Sequence, residues 1–258
     1  MNDKVAIVTG STAGIGLGIA LKLAQNGAAV VINGRTPDRL RQAESAIESF
    51  GGRVLGIRAN AFVEDDILRI VKETVEYFGH VDILINNAAT IGAGQPVERM
   101  SVETWDETIN ANLRSVFLFC KTAIPYLRKR TGSRIVNIGG LSSKNPLPFA
   151  AADAASKAGI LALTRVLAAE LGPDGITVNT VIPGFQPDTE LGRKFNEELA
   201  AAFHISPEDS IIATKMRTLM KRFETVEEIA EAVAFLCTDA AAAITGQNIN
   251  VNCGLATY

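Results

Sequence analysis

Asp153 and Lys157 stand four residues apart in the stretch AADAASKAG, residues 151–159. On a helix that spacing puts a carboxylate and an ammonium on one face. The carboxylate can remove a proton, from a bound water or from carbon beside a carbonyl, while the ammonium steadies the negative charge that develops. Alternatively the two groups neutralise each other on a helix surface, where an aspartate near the helix start is favoured by the helix dipole. The surrounding chain decides between these uses.

A second chemical feature follows the apolar run Val5–Val8. Residues 9–16 read TGSTAGIG, and Leu17 opens a helix. Glycines in such a turn let the backbone approach a pyrophosphate, and the helix N-terminus supplies free N–H groups and a positive dipole end. Gly10, Ser11, Thr12, Gly14, Ile15 and Gly16 are therefore expected to line a dinucleotide site. The next apolar run ends in Asn33-Gly34-Arg35, without an acid to accept the two adenosine ribose hydroxyls. Gly34 leaves room there and the Arg35 guanidinium matches a phosphate bidentately, so NADP(H) is preferred as cofactor and NAD(H) is the alternative. The third run ends at Asn60-Ala61, where an amide would meet adenine.

Positioning these groups needs a regular framework. Runs rich in Val and Ile recur at 5–8, 30–32, 54–57, 83–85, 135–138 and 177–182, with helical periodicity between them. Ile15, Ile19 and Leu23 share one helical face; Val102, Trp105, Ile109, Leu113, Val116, Cys120 and Ile124 mark one long helix over 101–129. A helix at 225–236 and a strand at 247–251 complete the pattern. Runs apolar on both faces suit strands buried in a parallel sheet, which predicts an α/β fold. The sheet is doubly wound, Rossmann-type and of about seven strands, with helices on both faces in three layers. Residues 1–258 are expected to form one domain. The segment 185–223 breaks the alternation, and its helical pieces at 191–203 and 210–220 are expected to form a lid over a strand end.

Composition narrows the partners. The chain has 258 residues, 47% hydrophobic, enough for one large core. Its net charge of -3, with scattered lysines and arginines, gives no basic stripe for nucleic acid. Cys120, Cys237 and Cys253 are widely spaced and odd in number, which argues for free, buried thiols in a reducing compartment. MNDKVAIVTG lacks the pattern of an export signal and no apolar stretch suits a bilayer span, so a cytoplasmic protein without membrane partners is expected. His80 and His204 have no acidic or cysteine cluster beside them, and no metal site is expected. Phe149 and the apolar lid face point to a small or partly apolar ligand, while Met216 and Met220, four apart with Leu219, are expected to pack the lid and not to define a substrate.

Over nearly its whole length the chain resembles the short-chain dehydrogenase/reductase family. The markers occur in order: TGSTAGIG at 9–16, Asn86-Asn87-Ala88-Ala89 in place of the family's NNAG, and Asn110-Ala111-Asn112 within the long helix. Ile135-Val136-Asn137-Ile138, Pro183-Gly184 and Ile244-Thr245-Gly246-Gln247 follow. The resemblance implies that Asn87 and Ala88 border the cofactor, that Pro183 and Gly184 turn over its nicotinamide, and that Lys157 holds the nicotinamide ribose. It also implies that Asn112 holds a water in a proton relay.

Two family positions differ. The tyrosine that exchanges a proton with substrate stands four residues before the lysine in relatives, and that position is Asp153; the serine thirteen residues earlier is replaced by Gly140. None of the chain's tyrosines, Tyr77, Tyr126 and Tyr258, lies within the 25 residues before Lys157. Ser142 and Ser143 are near enough to the missing serine to reach a ligand from the same loop. Thr189 sits one residue later than the family's threonine after Pro-Gly, displaced by Asp188.

The expected catalytic set is thus Asn112, Asp153, Lys157 and Ser142. Three functions fit it: an NADP(H)-dependent oxidoreductase of a small or partly apolar carbonyl or alcohol with an altered proton path; a lyase or isomerase with Asp153 as base; and a nucleotide-binding protein without turnover. In relatives the helices at 101–129 and 153–171 pair across subunits, so a homodimer or homotetramer is expected, with Tyr258 a candidate phenol supplied in trans.

Overall fold

The computed structural model describes residues 1–92 and 94–258. Seven parallel strands form one sheet in the order β3-β2-β1-β4-β5-β6-β7. They are β1 (Val5–Val8), β2 (Ala29–Gly34), β3 (Val54–Arg58), β4 (Ile83–Asn86), β5 (Arg134–Ile138), β6 (Thr177–Pro183) and β7 (Asn248–Val251). The helices are α1 (Gly14–Gln25), α2 (Pro37–Glu48), α3 (Glu64–Phe78), α4 (Val102–Ile109), α5 (Ser115–Leu127), α6 (Ala151–Leu171), α7 (Glu190–Ala202), α8 (Pro207–Arg217) and α9 (Val226–Leu236).

Each strand of the first two alternates its apolar side chains between two cores, as the pleat requires. Ala6, Val8, Val30 and Ile32 pack under α1, α2 and α9 with Ile19, Leu23, Ile47 and Val233. Ile7 and Val31 point the other way, toward Ile67 and Ile70 of α3, Phe119 of α5 and Ile160 of α6. Both faces are covered, so the predicted three-layer α/β architecture is what forms. The strand order reverses between β1 and β4, which opens a crevice at the carboxyl ends of the strands, the usual ligand position in such sheets.

The helix expected over 101–129 is broken into α4 and α5 by a single π turn, Asn110–Arg114. Apolar periodicity does not register such a turn, because one inserted residue rotates the following face without ending it. π turns of this kind are frequent at functional sites, and this one carries Asn112. Between β6 and α9, α7 and α8 occupy the span of the expected lid.

All three cysteines are free and buried. Burial pushes the Cys120 and Cys237 thiols up to about 12. At pH 8 the thiolate fraction is then roughly 10³-fold below that of a free cysteine. Cys120 and Cys237 are expected to stay unmodified by a thiol reagent at pH 8 until the protein unfolds, followed by peptide mass mapping. Rapid native modification of either one would contradict their placement.

Candidate active site

The turn after β1 owes its shape to backbone conformations and close contacts that side chains would disrupt. Gly10 and Gly14 have φ of 62° and 54°, in the left-handed region that favours glycine. A Cβ on Gly16 would lie 2.4 Å from Asn87 Nδ2 and 2.5 Å from the Gly10 carbonyl. Thr9, fully buried, ties this turn to β4: its Oγ1 accepts the Asn87 and Ala88 N–H groups, each at 2.9 Å. Asn87 returns the link by donating its Nδ2 to the carbonyls of Thr9 and Gly10. Asn33 Oδ1 accepts the Gly10 N–H at 2.9 Å.

A cleft of about 880 Å³ runs along the strand ends. It is lined by Gly10, Thr12, Gly14, Ile15, Gly16, Arg35, Asn60, Ala61, Asn87, Ala88, Lys157, Pro183 and Gly184, thirteen of the expected cofactor positions. Ser11 departs from the expectation. It is fully buried, its N–H donates to the Asn33 carbonyl, its Oγ donates to the Val8 carbonyl, and that oxygen accepts the Asn33 N–H. With its polar groups consumed, Ser11 holds the turn together and has no donor for a ligand.

At the end of β2 a Cβ on Gly34 would fall 2.5 Å from the Thr12 methyl, so the small residue lets the glycine turn close against the strand. Arg35 is exposed, and among the described residues its guanidinium has no ion-pair partner. The neighbouring Arg39 is paired with Glu190 of α7 at 2.8 Å. Asn60 uses its Oδ1 to accept the Phe62 N–H.

At the other end of the cleft α6 brings Asp153 and Lys157 into place. Asp153 lies in the first turn of α6, whose start has no side-chain cap. Its Oδ2 accepts a hydrogen bond from Ser142 Oγ at 2.6 Å, and Asn112 Nδ2 approaches its Oδ1 at 3.4 Å. Lys157 makes no ion pair with Asp153; its Nζ donates to the Ile138 carbonyl at 3.3 Å. Burial pushes the Lys157 ammonium below its ordinary range, and the negative charge of Asp153 opposes that. An ammonium carries three donors and only one is used here, leaving the others for a ligand in the cleft.

Asn112 is 1% exposed and does not line the cleft. Its side chain grips the Thr90 backbone, accepting from N–H at 2.8 Å and donating to C=O at 3.0 Å, and it donates to Ser156 Oγ at 3.2 Å. Asn112 therefore meets a ligand only through Asp153 and the 90–91 segment. Beside Asp153 a small, partly open pocket of about 40 Å³ is lined by Ile91, Met100, Leu147, Phe149, Phe195 and Leu199. Phe149 holds a φ of 71°, strained for a bulky residue, and its carbonyl accepts the Gln95 N–H.

Tyr258, the candidate phenol in trans, makes these contacts within its own chain. Its hydroxyl donates to the Lys144 carbonyl at 2.9 Å within the same chain and also bonds Asn145 Oδ1. Sequence reasoning missed Thr9, Asn33, Thr90, Ser156 and Glu224 as parts of this site. Thr9 and Ser156 adjoin residues that had been singled out, but their partners lie far along the chain. No cluster of three or more His, Cys, Asp or Glu suited to a metal ion occurs among the described residues, and no helix there is long and apolar enough to cross a membrane.

Residues 10–256 match the family described as Enoyl-(Acyl carrier protein) reductase. The chain is 35% identical over 254 residues to 3-oxoacyl-acyl-carrier-protein reductase FabG of Staphylococcus epidermidis, covering 98% of this chain and 99% of that protein. It is 32% identical over 267 residues to a 3beta-hydroxysteroid dehydrogenase of Mediterraneibacter gnavus, covering 100% and 96% of the two. Among solved structures, a variant of actinorhodin polyketide ketoreductase with NADPH superposes with a TM-score of 0.93 at 34% identity, covering 99% of this chain and 98% of that one.

Proposed function

The chain belongs to the short-chain dehydrogenase/reductase family, and from that premise we propose that it is an NADP(H)-dependent oxidoreductase of a small or partly apolar carbonyl or alcohol, with an altered proton path. The observation that carries this reading is the pairing of an unencumbered Arg35 at one end of the cleft with a buried, partly free Lys157 at the other. NADP(H) would lie between them, its pyrophosphate on the 10–16 turn, its 2′-phosphate on Arg35 and its nicotinamide ribose on Lys157, with NAD(H) the weaker ligand. The NADPH of the related ketoreductase structure supports the same choice. Bound there, the cofactor supplies or takes up a hydride.

The chain's own residues handle the proton. Asp153 stands at the family's tyrosine position and Gly140 at its serine position. In the oxidising direction the Asp153 carboxylate takes the proton of the substrate alcohol, directly or through the Ser142 hydroxyl that donates to it. In the reducing direction the proton returns by the same path. Asn112 orients this carboxylate from behind, braced by Ser156, whose hydroxyl accepts from Asn112 and donates to the Asp153 backbone carbonyl. The cavity beside Asp153 takes an apolar part of the substrate, with α7 acting as its lid. Trp105, Phe117 and Val166, exposed on α4, α5 and α6, suit the helix pairing of a homodimer or homotetramer.

A second reading is favoured by the donors around Asp153. A hydroxyl and an amide donor orient its two oxygens, and as base for a lyase or isomerase it needs no redox step.

Titration of NADPH and NADH by fluorescence, followed by absorbance screens of carbonyl and alcohol panels, tests the proposal. Arg35→Ala is expected to weaken NADPH by about 10- to 100-fold and NADH by less than about threefold, because a charge-assisted contact to phosphate is lost only with NADPH. Equal losses would remove Arg35 as the phosphate ligand. Tight NADPH binding with no redox turnover of any panel member would overturn the oxidoreductase reading.

A further inference from the structure

Glu224 is a carboxylate in an unusual position. It is 5% exposed, yet among the described residues it has no cation partner. Its Oε1 accepts the Gly184 N–H at 2.7 Å and Gln186 Nε2 at 2.8 Å; its Oε2 is buried without a hydrogen-bond partner. Gln186 Nε2 also donates to the Glu224 backbone carbonyl at 2.8 Å. Phe223, next to it, packs edge-on against Phe185 at 5.3 Å between ring centres. The 222–225 segment and the turn after β6 are thus bound together by both polar and aromatic contacts.

Two facts make this more than packing. Gly184 and Gln186 line the cleft, so whatever holds them shapes the end where Pro183 turns over the ligand. A buried carboxylate with one oxygen unpartnered is also costly compared with an amide or apolar side chain of the same size. The facing groups do not relieve it. Arg222 is engaged bidentately by Glu228 at 2.7 Å to each oxygen, which holds Glu228 down to about 2, and Cys253 approaches as a thiol. No side chain at position 184 could share the load, because a Cβ there would sit 2.9 Å from Glu224 Oε1 and from Asn252 Cβ.

We infer that Glu224 is a positioning residue that holds the Pro183–Gln186 turn in its cleft-lining conformation through Gly184 N–H and the Gln186 amide, and so sets affinity for the nicotinamide half of the cofactor. This rests on the NADP(H) reading above. Burial raises the Glu224 carboxyl above its ordinary range, so its charge, and the two bonds that depend on it, weaken at a higher pH than an exposed glutamate's would.

The test compares wild type, Glu224→Gln, which keeps an acceptor at Oε1, and Glu224→Leu, which has none. NADP+ affinity is read by fluorescence or calorimetry, and hydrogen exchange of residues 184–186 is read in the unliganded proteins. Glu224→Leu is expected to bind NADP+ about tenfold more weakly and to exchange that segment about tenfold faster, while Glu224→Gln stays within about threefold on both. A folded Glu224→Leu with unchanged affinity and unchanged exchange would overturn the inference. If Glu224→Leu does not fold, Gln186→Met, which removes the amide donor to Glu224 Oε1, is read in its place and is expected to speed exchange of residues 184–186 and weaken NADP+ binding by about three- to tenfold. Unchanged exchange and affinity in that variant would overturn it. If wild type fails to bind NADP+, the cofactor reading falls, and the exchange data alone decide whether Glu224 holds the turn.

Discussion

Asp153→Asn lowers turnover by about 10²- to 10⁴-fold while leaving NADPH affinity within about threefold, the expected result if the carboxylate handles the proton and Lys157 the cofactor. Asparagine keeps the size of the side chain and can still accept from Ser142, so the loss isolates proton transfer from shape. If redox turnover survives the change undiminished, Asp153 is no part of the proton path. If the parent instead shows lyase or isomerase activity that Asp153→Asn abolishes, the second reading holds.

The complementary double variant, Asp153→Tyr with Gly140→Ser, places a phenol and a hydroxyl at the family's positions. Gly140 has φ of -163°, extended backbone that any residue adopts, so the obstacle to serine is contact and not conformation. Its Cβ would meet Lys157 Cγ at 3.2 Å and Cδ and Cε at 3.4 Å, so the lysine stem must shift by a few tenths of an ångström. The stem is flexible, and the change is expected to be tolerated. The double variant is expected to gain carbonyl reduction over the parent in steady-state assays. No gain in a folded, NADPH-binding variant would show that the pocket does not admit the carbonyl tested.

The second large effect is on stability. Thr9→Val preserves shape but removes the oxygen that accepts both the Asn87 and Ala88 N–H groups. An unsatisfied backbone donor costs about 1–3 kcal/mol, and these two are half-buried, so a total loss of about 2–4 kcal/mol is expected in denaturant unfolding. The glycine turn and the end of β4 would separate at the same time, so NADPH affinity should fall with stability. Thr9→Ser, which restores the acceptor, is expected to recover most of both. A Thr9→Val protein as stable as wild type would mean that another group takes over those amides.

Lys157 adds a pH term of known sign. Its folded-state pKa is depressed by burial, so the folded protein binds fewer protons there than the unfolded chain. Its contribution to stability therefore rises as pH increases through the depressed folded value. Lys157→Met is expected to remove that dependence.

Much of the fold was legible before any coordinate. The runs 5–8 and 177–182 read as buried strands because both faces of a parallel sheet are covered, so apolar side chains recur in either direction. The glycine turn was legible because backbone conformation and close approach restrict residue type locally, at 10, 14 and 16. Arg35 was legible because it directly follows β2. The π turn at Asn112 was not legible, since a single inserted residue preserves the composition of a helix. Ser11, counted with its neighbours as a ligand, instead turns inward, because the choice between facing the cleft and facing Asn33 depends on β2.

The amino-acid sequence by itself determined the order of strands and helices, the glycine turn after β1, the cation after β2 and the aspartate four residues before Lys157. These are properties of short segments, set by periodicity and by which residue occupies which place. Only the tertiary structure decided what Asp153 faces: Ser142 and Asn112, and not the lysine one helical turn away. It alone placed Thr9 against β4, Glu224 behind Gly184 and Tyr258 on its own chain's Asn145. Those pairings join residues tens of positions apart, and their side-chain directions follow from how the helices settle on the sheet, which no local pattern specifies.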